Sequence, residues 1–185
     1  MNKVTRRNFI AAAGATGLLT ACGNGVESTG GQKIDARVDS ALDFLFTNYP
    51  DSRDLASKAS GTLVMPLVTE AGFGFGGAYG RGALRVNDVT VDYYSTAAAT
   101  FGFQIGAQQY AHALFFMTPE ALSDFRRSPG WSAGADVRYA VASDGGSLGV
   151  DTTTVLSPVI AVVFGQAGLI AGATIEGTKY TRILP

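Results

Sequence analysis

The feature that most limits how this chain can fold is a run in which glycine and bulky residues partly alternate, Gly72-Phe-Gly-Phe-Gly-Gly-Ala-Tyr-Gly-Arg-Gly-Ala-Leu-Arg-Val86. In a strand, alternate residues point to opposite faces. The run therefore puts rings on one face and bare backbone on the other. Glycine weakens a strand unless the site needs a tight bend, or unless another backbone or a ligand comes close. The run predicts a strongly bent sheet. Asn87-Asp88 then separates it from Val89–Tyr94, as in a hairpin. Thr100–Met117 continues in the same style, with Phe101, Phe103 and Ile105 alternating and Gly106–Gln109 expected to turn the chain.

Around this centre the patterning is mixed. Ile34, Val38, Leu42, Leu45 and Phe46 form a helical stripe, with Asp35, Arg37, Asp39 and Asp43 off it. That helix should stop before Tyr49-Pro50, because a residue preceding proline avoids the helical region. A second short helix is expected over Ser52–Ser60, ending at Gly61. Thr62–Val68 reads as a strand that Pro66 confines to an edge or a bend. Thr118-Pro119-Glu120 supplies a cap, a proline and an early acid for a helix to Arg126 or Arg127. Val137–Ala142, Leu148–Thr152, Val159–Phe164, Leu169–Ile175 and Tyr180–Ile183 are further strands, with Asp144-Gly145 as a hairpin turn. Helices followed by many short strands with one interposed helix imply α+β: N-terminal helices packed on a curved, largely antiparallel, glycine-rich sheet that could close toward a barrel.

The amino terminus has the pattern of an export signal. Lys3, Arg6 and Arg7 precede an uncharged run from Phe9 to Ala21. That run falls short of the ~20 apolar residues a spanning helix needs. Thr5-Arg6-Arg7-Asn8-Phe9-Ile10 is similar to the twin-arginine consensus, and Leu19-Thr20-Ala21-Cys22 to a lipobox. The alternative is an ordinary small-residue cleavage site with an incidental cysteine. Cys22 is the chain's one cysteine and stands where a lipobox requires it. The expected organisation is a removed signal over 1–21, a lipidated Cys22 with a flexible tether over 22–32, and a folded domain over 33–185. With Cys22 acylated by palmitate-type chains, no thiol remains for a disulfide or a metal. Gly23, not aspartate, follows the cysteine. In a cell with two membranes that favours the outer membrane, facing the periplasm.

Charge narrows the partners. The signal holds three of the chain's 14 Lys+Arg and none of its 15 Asp+Glu. The remainder is acidic by about four charges, unlike proteins that grip nucleic acid by bulk charge. No nucleic-acid partner is expected, and binding to anionic lipid would need a local patch.

No set of residues supports catalysis, a cofactor or a metal. Gly72–Gly77 matches G-x-G-x-x-G, with Asp92 further on, but a dinucleotide site needs a helix at that loop and the sequence reads as strand. Gly145-Gly-Ser-Leu-Gly149 matches G-x-S-x-G without the later histidine a hydrolase requires. His112 is the single histidine; it reads as a satisfied or half-exposed sheet residue, not a ligand. Asp51 and Asp54 read as solvated helix carboxylates, and Phe115-Phe116 as core.

Four segments carry a resemblance. Gly72–Val86 resembles the signature region of the SYLF family. Ala99-Thr-Phe-Gly-Phe-Gln-Ile-Gly-Ala107, Ser128–Gly134 and Gly168–Lys179 resemble its later motifs, so that the likeness runs from Asp35 to Ile183. The resemblance implies lipid binding. Eukaryotic members bind phosphoinositides, and yeast members also bind actin. Bacterial members are mostly small exported proteins or lipoproteins. An exported protein meets neither actin nor phosphoinositides, so the expected partner is a phospholipid membrane. The first helix (Lys33, Arg37, Phe44) and the arginines of the glycine-rich strands (Arg81, Arg85) are the candidate contacts. The rival reading is an envelope structural or assembly protein that binds an unidentified protein, with lipid affinity incidental.

Overall fold

A computed structural model describes residues 29–134, 137–142, 148–149, 157–167, 175 and 177–185. The signal, Cys22, most of the tether and the Asp144-Gly145 turn lie outside these residues. So do Gly145–Ser147 of the G-x-S-x-G motif, 150–152 of one expected strand and 169–174 of another.

The chain opens with helix α1 (Gly30–Asn48) and helix α2 (Asp51–Lys58). α1 starts within the expected tether, three residues before the expected domain boundary. Glycine costs a helix about 1 kcal/mol relative to alanine, but packing decides here. The backbone of Gly31 lies so close to the Tyr93 hydroxyl that a Cβ would sit 2.8 Å from it. Of the expected stripe Ile34, Val38 and Leu45 are buried and Leu42 and Phe46 half-buried, with Ala41 buried beside them.

Two long strands follow, β1 (Gly61–Val86) and β2 (Val89–Phe116). They pair antiparallel over almost their whole length, from Gly61 with Phe116 to Val86 with Val89. Asn87 and Asp88 both take positive φ, 49° and 62°, as the tight turn requires. Pro66 falls where the register shifts between Met65 and Val68, on a strand that among the described residues pairs only with β2. The chain does not turn at Gly106–Gln109; β2 runs through these residues unbroken. The hairpin bends as a unit instead. Gly72 pairs with Gly106, and a Cβ on Gly72 would meet the Cα of Gly76 at 2.5 Å. Phe73 pairs with Ile105 but Gly74 with Gly102, so β2 carries extra residues at the bend, which absorb it as a bulge. The second glycine function, close approach, is met at Gly82, whose Cβ would overlap the carbonyl oxygen of Val64 on the same strand.

Helix α3 (Pro119–Arg127) begins as expected, with the Thr118 side chain accepting from the Ala121 N–H at 3.2 Å. Short strands β3 (Trp131–Ser132), β4 (Val137–Ala142) and β5 (Leu148–Gly149) come next, then β6 (Val159–Ala167) and β7 (Lys179–Ile183). Among the described residues the sheet has seven strands in the order β3-β7-β2-β6-β4-β5, with β1 on β2. β4 and β5 are antiparallel neighbours, as a hairpin would place them, and β4 pairs parallel with β6. The fold is α+β with a mixed sheet curled into a half-barrel.

The curl gives two apolar layers. The inner face gathers Leu63, Met65, Leu84, Tyr94, Leu114, Phe116 and Tyr180. Phe125 of α3 plugs this layer, with its ring 4.7 Å from both Tyr94 and Phe116 and 5.4 Å from Trp131. The outer face carries Val64, Ala83, Ala111, Ala113, Phe115, Ile160 and Val162 under α1 and α2.

Candidate lipid-facing surface

The helices cover only part of the outer face. From Phe75 to Arg81 on β1, odd-numbered residues are exposed, whereas Ala78 and Gly80 are buried. Tyr79 pairs with Ala97 of β2, which pairs with Lys179 of β7. In the next row, Arg81 pairs with Ser95, which pairs with Thr181. Directly paired residues project to one face. The bare region therefore presents Phe75, Tyr79, Arg81 and Lys179 together, over the small residues Gly77, Ala97 and Ala99. Phe75 is 77% exposed and Tyr79 56%. Among the described residues of these rows there is no acid. Phe75 pairs with Phe101 of β2, and Tyr79, Arg81 and Lys179 are exposed beside it.

The expected contact residues are only partly brought together. Arg81 is on the bare face. Lys33 and Arg37 are exposed one turn apart on α1. Phe44, 37% exposed, stacks on Phe164 of β6 with ring centroids 6.2 Å apart. Arg85 is held elsewhere. Its side chain is 17% exposed, its Nη2 contacts Asp39 at 2.6 Å and Asp35 at 3.8 Å, and its Nη1 donates to the Asp88 carbonyl at 3.1 Å. It ties the β1–β2 turn to α1 and is not a free cation. Phe75, Tyr79 and Lys179 were not among the expected contacts. The glycine alternation already placed the two rings on one face with Arg81, but the pattern does not say whether a helix covers that face. Lys179 reaches it only through the pairing of β7 with β2, which lies far apart in sequence.

The inner face is chemically quiet. His112 is wholly buried, not half-exposed, and its Nε2 lies 2.8 Å from the Tyr180 hydroxyl. Its Nδ1 has no hydrogen-bond partner. Burial pushes its pKa down to about 3, so the ring is neutral at ordinary pH. Burial likewise raises Tyr110 to about 12. Tyr93 reaches about 12 through burial and the hydrogen bond from its hydroxyl to Asp35. The Gly72–Gly77 motif lies inside β1, with no helix opening at it. Among the described residues no three His, Cys, Asp or Glu converge as metal ligands, and no helix is long and apolar enough to cross a membrane.

Residues 97–182 match the family described as Ysc84, Las17-binding protein actin regulator. The matched span holds most of β2 together with α3 and reaches Arg182 of β7. Gly72–Tyr79 of the glycine-rich run pair with it from outside. No curated protein matches the chain.

Proposed function

Residues 97–182 belong to the Ysc84 (SYLF) family of lipid- or actin-binding domains, and from that membership and the bare outer face we propose that this protein is a non-catalytic cell-envelope lipoprotein whose domain binds phospholipid. The observation that carries the reading is the exposed set Phe75, Tyr79, Arg81 and Lys179 on one acid-free face. Actin is not its partner in this reading, because the twin-arginine pattern at Arg6-Arg7 directs the chain out of the cytoplasm.

The magnitudes fit an anchored protein. Burying two such rings contributes roughly 3 kcal/mol, and each cation near an anionic leaflet adds about 1 kcal/mol. That sum alone gives weak binding. Acyl chains on Cys22 hold the domain at the surface, so the weak face then acts at high effective concentration. Seven residues lie between Cys22 and Gly30, eight backbone steps with a reach of at most about 29 Å. α1 begins beside Tyr93, two residues along β2 from the Ser95 row. A tether of this length leaves the bare face within reach of the leaflet that holds the anchor. Gly23 after Cys22 favours the outer membrane where there are two.

The test is liposome flotation of the chain from Gly23, which keeps every described element and lacks Cys22. Flotation is expected with anionic vesicles, weaker with zwitterionic ones, and reduced by salt in proportion to the share carried by Arg81 and Lys179. Failure to float with either lipid would leave membrane contact to Cys22 alone and direct attention to a protein partner.

A further inference from the structure

A groove of about 520 Å³ opens between α3 and β7, lined by Ser60, Leu122, Ser123, Arg126, Arg127 and Arg182. Three of the chain's 14 basic residues meet there, in a protein that is otherwise acidic. One carboxylate opposes them. Asp92 accepts from Arg126 Nε at 3.0 Å and lies 3.5 Å from Arg182 Nε. Arg182 Nη2 donates to the carbonyl oxygen of Arg126 at 2.7 Å. Among the described residues the Arg127 side chain has no ion pair or hydrogen bond. The C-terminal dipole of α3 accounts for basic residues at Arg126 and Arg127. It does not account for Arg182, which comes from a different strand into the same groove. Asp92 is spent on fixing two guanidiniums in place, which leaves the groove two charges positive.

Two guanidiniums held by Asp92, with a third beside them and serine hydroxyls in the same groove, match the oxygens of a phosphate, because planar N–H pairs bind such oxygens two at a time. We propose that this groove is a phosphate site, taking the oxyanion of a phosphate ester between Arg126, Arg127 and Arg182, with Ser60 and Ser123 as additional donors. Arg182 and Lys179 have opposite parity on β7, so the site lies on the other face of the sheet from Tyr79 and Arg81. It does not depend on the membrane reading.

The test is titration of the full chain, in micelles of an uncharged detergent, with inorganic phosphate. The side-chain Nε–H signals of the three arginines are followed by NMR, with chloride at matched ionic strength as control. A saturable shift specific to phosphate is expected. Arg127→Ala, which breaks no contact of the fold, should weaken it about tenfold, and Arg127→Lys should restore part of the loss. A second arm adds phosphatidylglycerol vesicles. Displacement of phosphate would assign the site to a lipid headgroup, and no displacement to a soluble phosphate ester. Equal shifts with chloride, no saturation, or full affinity in Arg127→Ala would overturn the proposal. The titration requires no vesicle binding, so its failure and a failure of flotation are separate results.

Discussion

The outer face of the β1–β2 hairpin has two ends, built on the same alternation and finished differently. At one end Val64, Ala83, Ala113 and Phe115 lie under α1 and are wholly buried. At the other, Phe75 and Tyr79 occupy the equivalent face and stay 77% and 56% exposed. Alternation assigns a residue to a face, whereas burial depends on what packs against it. The covered end is part of the core. The bare end keeps most of two aromatic rings in water, and such a patch marks a contact site.

The inner face provides the sharpest way to break the comparison. A methyl added at Gly82 would overlap the Val64 carbonyl, and the strand cannot move away without opening the half-barrel. Gly82→Ala should lose roughly 3 kcal/mol or more. Gly77→Ala, on the bare face, meets nothing nearer than the Ala98 carbonyl oxygen at 3.6 Å. It should be neutral or gain about 0.5 kcal/mol, since it limits the unfolded chain. Urea midpoints of the two variants measure this directly. Equal losses would mean that the glycines of the hairpin are not divided by face.

A smaller effect comes from His112. Its folded pKa is lowered to about 3 from an ordinary 6.5. Below about pH 6.5 the unfolded chain takes up a proton that the native ring refuses. Stability therefore falls as pH drops from about 6.5 toward about 3, and is fully retained above 6.5. At pH 4 the loss should be about 3 kcal/mol relative to pH 7. His112→Gln, which keeps a polar group near Tyr180, should remove this part of the decline, read as urea midpoints at the two pH values. Parallel profiles for wild type and variant would show that the core site does not control acid sensitivity.

Much of this fold was legible in the chain. Asn87-Asp88, Thr118-Pro119 and the Ile34–Leu45 stripe act through local chemistry, and each sits where that chemistry puts it. The long strands were legible in pieces. Gly106 read as a turn because the local cost of glycine is visible, whereas the facing strand, with Gly72 opposite it, that makes a shared bend tolerable is not. β3 gave no signal, since Trp131 and Ser132 are strand only through β7. The contact residues were half legible for the same reason. Arg81 was visible as a charge in the glycine run. Arg85, four residues on and on the same face, was indistinguishable from it until Asp39 on α1 came within 2.6 Å. The Arg126, Arg127 and Arg182 groove joins a helix to a strand more than 50 residues later, and no spacing rule covers that distance.

The smallest expected change in stability is the most informative about function. If the bare end serves contact and not folding, Phe75→Ser with Tyr79→Ser should leave the urea midpoint close to wild type, within about 1 kcal/mol, because more than half of each ring is already exposed. The same variant should lose most of its flotation on zwitterionic vesicles, where ring insertion is the main attraction, and less on anionic ones, where Arg81 and Lys179 remain. Arg81→Glu with Lys179→Glu should show the reverse, losing the anionic preference and its salt dependence while keeping the weak zwitterionic binding. A large drop in stability for the aromatic pair would mean that the rings are core residues of a more closed form, and the two ends of the hairpin would then not differ in role. Unchanged stability with unchanged flotation would remove the bare face from membrane binding and leave it as a surface for protein.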